Sequence, residues 1–176
     1  MTDFRKALPD DIGDITGIYN NIHLAEEAGE LTIGWKRGVY PTRQTAYKAI
    51  KREDMFVETD DNGTIVGAAI INQKQVDTYK FAKWKFPAED NEVMVLHTLV
   101  IEPSEKSKGY GKAFVKFYED YALQNGCRYL RMDTNERNTA ARKIYARLGY
   151  EEVDILPCTF NGLEGVNLVC LEKRLS

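Results

Sequence analysis

The segment Lys106-Ser107-Lys108-Gly109-Tyr110-Gly111-Lys112 lies between an apolar run, Val93 to Ile101, and a stretch with helical apolar spacing. A helix that starts at a glycine-rich turn points several unpaired backbone N–H groups at one spot. It also sets the positive end of its dipole there, which makes an anion site. Glycines at 109 and 111 let the backbone approach a phosphate closely, and the lysines add mobile positive charge. Neither Gly-x-x-x-x-Gly-Lys-Ser/Thr nor the three-glycine dinucleotide pattern is present, yet a pyrophosphate suits the turn. The alternative is an ordinary strand-to-helix turn with a solvated lysine cluster.

A second constellation begins at Asp133 and runs through Asn138, Ala140, Ala141 and Tyr145 to Gly149-Tyr150. Asn138 and Tyr145 are two helical turns apart, so a polar group at the helix start and a phenol further along share one side. Both could face one elongated ligand. Alternatively Asn138 only caps the helix and Tyr145 packs in the core.

The elements that must position these groups can be read from periodicity. Ile12, Ile15, Ile18, Tyr19 and Ile22 mark one apolar helical face after Asp10-Asp11, and a second helix is predicted from Thr42 to about Arg52. Met55 to Thr59 and Ile65 to Ile71 flank Asp61-Asn62-Gly63 as a hairpin. In Val93 to Ile101, strict alternation sets Val95, His97 and Leu99 on one face and Met94, Leu96 and Thr98 on the other. Apolar residues on both faces predict a central strand. A helix from Gly111 to Asn125, a strand from Tyr129 to Asp133, a helix from Thr139 to Leu148 and strands at Tyr150 to Leu156 and Val166 to Glu172 complete the order. Asn72 to Glu92 carries no assignable period.

With 176 residues, no linker and 43% hydrophobic content, the chain reads as one α/β domain with a mixed sheet, covering 1–176. A net charge of −3 argues against a nucleic-acid binder. Cys127, Cys158 and Cys170 lack Cys-x-x-Cys spacing, so no zinc ribbon or redox dithiol is indicated, and no metal is expected. No apolar run is long enough to span a bilayer. A cytoplasmic protein without membrane or nucleic-acid partners is the expectation, and a homodimer is compatible with it.

Taken together, the two constellations resemble the GNAT family of acetyl-CoA-dependent N-acetyltransferases. Lys106, Gly109 and Gly111 match its Gln/Arg-x-x-Gly-x-Gly/Ala loop, with Lys106 departing from the usual Gln or Arg. Asn138, Ala140, Ala141, Tyr145, Gly149 and Tyr150 match its later helix. The resemblance implies a mixed central sheet whose fourth and fifth strands splay apart beside a bulge, with flanking helices. Acetyl-CoA would be the co-substrate: pantetheine on the backbone of Leu99, Val100 and Ile101, pyrophosphate on Lys106 through Lys112, and Asn138 on the pantetheine arm. Tyr145 would meet the thioester sulfur as acid or hydrogen-bond donor. His97 and Glu92 are the candidate bases, His97 through an unperturbed pKa suited to neutral catalysis; a core histidine and an exposed strand end are their bland readings. The acceptor is expected to be a primary amine of a small molecule, attacking directly in a ternary complex. Glu26, Glu27, Glu30 and Trp35, with Tyr79, Phe81, Trp84 and Phe86, could favour a cationic one. A protein or peptide amine, or a CoA-binding regulatory module without turnover, are the alternatives.

Overall fold

The alternation of apolar residues in the strands builds one seven-stranded mixed sheet; the computed structural model describes residues 1–176. The elements are β1 (Asp3–Lys6), α1 (Ile12–Glu27), α2 (Arg43–Lys51), β2 (Met55–Thr59), β3 (Ile65–Asn72), β4 (Val93–Ile101), α3 (Tyr110–Gln124), β5 (Tyr129–Asn135), α4 (Thr139–Arg147), β6 (Glu151–Phe160) and β7 (Leu163–Arg174). Strand order is β1-β2-β3-β4-β5-β7-β6, antiparallel except for the β4–β5 pair. Turn chemistry fixes the hairpins. Asp60 Oδ1 accepts from the N–H groups of Asn62 and Thr64, each at 2.9 Å, with Gly63 at φ 80°. Asn161 and Gly162, both at positive φ, close the β6–β7 turn.

Two layers cover the sheet. On one face α3 buries Phe114, Val115, Tyr118 and Ala122 against Met94, Leu96, Leu130 and Met132. The Tyr118 hydroxyl donates to the Met94 carbonyl at 2.7 Å, which satisfies its polar end in the core. On the other face α1 and α2 bury Ile15, Ile18, Tyr19 and Ile50 over β2, β3 and β4. Beyond them, Tyr79, Val93, Val95, Leu168 and Cys170 form a third cluster, packed against Trp35, Tyr40 and Trp84.

Three features depart from the sequence reading. Asp3–Lys6 is an edge strand pairing β2, although its polar, mixed-charge sequence carries no alternation; edge strands have only one partner and need less apolar content. The segment between β3 and β4 folds as two 3-10 turns, Asp77–Phe81 and Asp90–Glu92. Lastly, the β3–β4 register passes from Ile70↔His97 to Ala68↔Val100, so β4 carries one extra residue there. Thr98 sits at φ 52° in this bulge. The phase resets, and Leu99 packs with Met94 and Leu96 on the α3 face rather than with Val95 and His97.

Candidate active site

One end of the cleft is made mostly of backbone. After Ile101 the chain turns through Ser107 (φ 69°) and Gly109 (φ 92°) into α3. Only glycine adopts the second value without cost, and a Cβ there would meet nothing, so conformation rather than space selects Gly109. The first helical bond is Ala113 N–H to the Gly109 carbonyl, 3.0 Å. The N–H groups of Gly109, Tyr110, Gly111 and Lys112 therefore have no backbone acceptor and point off the positive end of the helix. Lys108 is tied to Glu105 at 2.7 Å, while Lys106 and Lys112 make no ion pair.

From this turn the cleft runs into a gap in the sheet. The parallel β4–β5 ladder holds from Val93↔Tyr129 to Leu96↔Met132 and then stops, although β4 continues to Ile101 and β5 to Asn135. The bulge at Thr98 falls where the strands part. A β-branched residue at positive φ is strained by roughly 1–3 kcal/mol; the Thr98 hydroxyl is hydrogen-bonded to the Tyr40 hydroxyl. Beyond Leu96 the β4 edge that would face β5 has no strand partner, which leaves backbone groups open to an extended ligand.

The whole cleft encloses about 720 Å³ and is continuous from Ile101 and Gly111, past Leu99, Asn138 and Tyr145, to His97, Asp133, Trp35 and Tyr40. Asn138 both caps α4 and borders the cleft. Its side chain accepts from Ala141 N–H at 3.3 Å. Tyr145 lines the cleft one edge away from Tyr150, and its hydroxyl takes no protein hydrogen bond. Burial, with the Asp133 charge nearby, pushes the phenol up to about 12, so it is a donor at neutral pH.

Asp133 stands on β5 one residue past the last paired step, as His97 does on β4. Asp133 Oδ2 accepts from the Tyr79 hydroxyl at 2.6 Å; its other oxygen takes no protein donor and reaches the cleft. Burial raises this carboxyl to about 6, only partly offset by Tyr79. His97 is held differently. Arg52 grips Asp54 (2.9 and 3.2 Å), Asn72 Nδ2 donates to Asp54 at 3.0 Å, and Asn72 Oδ1 faces His97 Nε2 at 2.8 Å. Asp54 is an acceptor only, so it fixes the Asn72 amide; Asn72 Oδ1 in turn places the proton on His97 Nε2 and the lone pair on Nδ1. Burial lowers this imidazole to about 4, leaving it neutral at pH 7 and weakly basic.

Of the residues singled out in the sequence, His97, Leu99, Ile101, Gly111, Asn138 and Tyr145 meet in the cleft. Lys106, Ser107, Lys108, Gly109, Tyr110 and Lys112 form the turn at its end. Val100 is 2% exposed, points into the α1–α2 cluster and can offer only its backbone. Glu92 is not at the site: it caps a 3-10 turn at the opposite end of β4, accepting from Glu89 N–H at 2.9 Å. Glu26 is likewise committed, accepting from the N–H groups of Ile33 and Gly34 (2.7 and 2.8 Å), and Glu27 pairs with Arg37. Asp133, the carboxylate that does line the cleft, is not among the site residues that sequence reasoning singles out. Its position at the end of a strand leading into the Asn138 helix was the available signal.

The cleft thus joins a parallel strand pair that parts midway, an amide-lined helix start at one end and a carboxylate at the other. Residues 22–150 match the acetyltransferase (GNAT) family, and the chain belongs to that family. The uncharacterized N-acetyltransferase YhfO of Bacillus subtilis is 28% identical over 100 residues, covering 57% of this chain and 60% of that protein. An aminoglycoside N(6')-acetyltransferase type 1 of Salmonella typhimurium is 27% identical over 66 residues, 38% of this chain and 46% of that protein. The chain thus spans less than two thirds of the curated relatives it matches. A GNAT-family acetyltransferase structure from Streptococcus agalactiae superposes with TM-score 0.80 at 21% identity, covering 99% of this chain and 96% of that one. The yncA structure from Salmonella typhimurium, solved with its cofactor acetyl-CoA, superposes with TM-score 0.69 at 18% identity, covering 99% and 94%.

Proposed function

We propose that the protein transfers the acetyl group of acetyl-CoA to the primary amine of a small molecule, by direct attack in a ternary complex. The observation that carries this reading is the continuity of one cleft from the amide-lined turn, through the strand gap, to Asp133. Pyrophosphate would sit on the N–H groups of residues 109–112, and pantetheine along the open edge of β4 near Leu99 and Ile101. Asn138 would meet the pantetheine arm.

In the reaction the ammonium first sheds one proton to solvent; the C–N bond then forms, the C–S bond of the thioester breaks to release the thiolate, and the attacking nitrogen, made acidic by its new bond, loses a second proton. An alkylammonium has a pKa near 10.4, so a proton acceptor is required. Between the two candidates Asp133, at about 6, is the stronger base and His97, at about 4, the weaker. Asp133 takes the second of these protons, from the nitrogen as it bonds to the acetyl carbon, and neutral His97 offers Nδ1 as a hydrogen-bond acceptor to the amine. A backbone N–H at the bulge, that of Leu99, would polarise the thioester carbonyl. Tyr145 faces a leaving thiol of pKa about 8.5, so outright proton transfer from a phenol near 12 is uphill by roughly 5 kcal/mol. Its role is therefore to donate a hydrogen bond to the departing sulfur. The three unpaired cysteines suit a reducing compartment, in keeping with a cytoplasmic setting.

Thiol release from acetyl-CoA in the presence of a panel of small amines tests the proposal. Amine-dependent release is expected. Release only with peptide amines would move the acceptor to a protein. CoA raising the melting temperature, with no release for any amine, would favour a binding module.

A further inference from the structure

The acceptor half of the cleft has an uneven charge. Asp133 is its only lining carboxylate, while Lys48, Arg52 and Lys74 also line it, in a protein whose net charge is −3. These three cations come from two segments, the end of α2 and the chain just past β3, which a built contact brings together. Arg52 and Asn72 both bind Asp54, which ties the end of α2 to the end of β3. Lys48 lies one helical turn before Arg52 on α2, and the Lys74 N–H donates to Asn72 Oδ1 at 3.0 Å. Asp54 engages Arg52 through Nε and Nη2, which leaves Nη1 unused. Neither Lys48 nor Lys74 has an acidic partner among the ion pairs, which elsewhere engage Lys85, Lys108, Lys116 and Lys173.

We propose that the acceptor carries an anionic oxyacid group as well as its amine, the ammonium meeting Asp133 and the anion meeting the basic mouth of Lys48, Arg52 and Lys74. This rests on the acetyl-transfer reading above. A carboxylate and a phosphate present the same chemistry to such a mouth: delocalised negative oxygens that accept charge-assisted hydrogen bonds from guanidinium and ammonium. A polycation gains the Asp133 contact but meets three like charges on the way in.

The test uses acceptors matched except for the anion: an α-amino acid against its amide, and an aminoalkyl phosphate against the corresponding amino alcohol, with an aminoglycoside as the polycation. One charge-assisted contact changes kcat/KM by about tenfold, so each anionic member should exceed its neutral match by at least that factor. The amino acid and phosphate arms identify which oxyacid is preferred. The Lys48→Gln/Lys74→Gln double variant, changed only at exposed positions, should erase the ratio within each pair. Equal or better use of the neutral members, or a ratio unchanged in the double variant, overturns the proposal. A second readout needs no turnover: the melting temperature of the CoA complex should rise with the anionic member of a pair and not with the neutral one. Equal shifts, or none, likewise overturn it. Absence of thiol release with every amine would instead count against acetyl transfer itself, while this binding preference would still be read.

Discussion

The two ends of the cleft are built from different materials. At the end proposed for the donor, four consecutive N–H groups, from Gly109 to Lys112, converge by helix geometry alone, and the lysine side chains of the turn are exposed. At the acceptor end the groups are side chains from β3, β4, β5, α2 and the loop before it, each oriented by a partner: Asp133 by Tyr79, His97 by Asn72, Thr98 by Tyr40. Backbone recognition tolerates side-chain change and, in the proposed reading, would engage what all CoA esters share. Side-chain recognition does not, and it is the end where one member of a fold can differ from another.

This contrast predicts that variants will separate the two halves. Asp133→Asn should have the largest effect, lowering kcat by about 100-fold or more while the CoA dissociation constant stays unchanged. Weakened CoA binding in that variant would mean that the ends are not independent. Gly109→Ala should do the reverse. Forcing a Cβ into φ 92° costs about 1–2 kcal/mol and misdirects the N–H groups, so CoA binding weakens by up to about tenfold with kcat retained at saturation. Tyr145→Phe removes one hydrogen bond to the departing sulfur, and kcat should fall by roughly tenfold with acetyl-CoA affinity preserved. His97→Ala should be mildest, a fall of a few-fold. The acidic limb of the pH–rate profile, near 6 for Asp133, should survive in it. A limb that vanished in His97→Ala would reassign the base.

Stability gives an independent handle on Asp133. Its carboxyl is raised in the folded state, to about 6 against roughly 3.9 unfolded. The sign follows from linkage: the stabilising contribution is complete below pH 4 and is lost as pH rises through 6. Asp133→Asn should therefore stabilise the fold at pH 7, by about 3 kcal/mol for a shift of about two pKa units, and so raise the melting temperature while lowering turnover. Thermal denaturation at pH 5 and 7 checks this; a destabilised variant would show that the charge is well accommodated. Glu58 extends the argument. It is wholly buried on β2, has no partner for either oxygen, and is raised to about 7 by burial, so Glu58→Gln should also stabilise the fold at pH 7.

How much of this was legible in the sequence differs between the same two ends. The donor turn and the Asn138–Tyr145 helix are local, and their glycines and spacings survive in one dimension. The bulge is not local. Thr98 alternates correctly in sequence, and only the β3 pairing reveals that one residue is extra, which moved Leu99 to the other face. Glu92 and the Glu26 group looked available because burial and partners are invisible in sequence; Glu89 N–H and the Ile33–Gly34 amides already occupy two of them. Asp133 became a site residue only because the β4–β5 ladder stops one step short of it.

The most direct test of the account is a crystal structure of the protein with CoA and the N-acetylated product of its best amine. The account predicts the pyrophosphate on the N–H groups of residues 109–112, pantetheine between β4 and β5, and the new amide nitrogen about 3 Å from Asp133 or one water away. A pyrophosphate seated elsewhere, or an amide remote from Asp133 with the cleft otherwise unchanged, would contradict it.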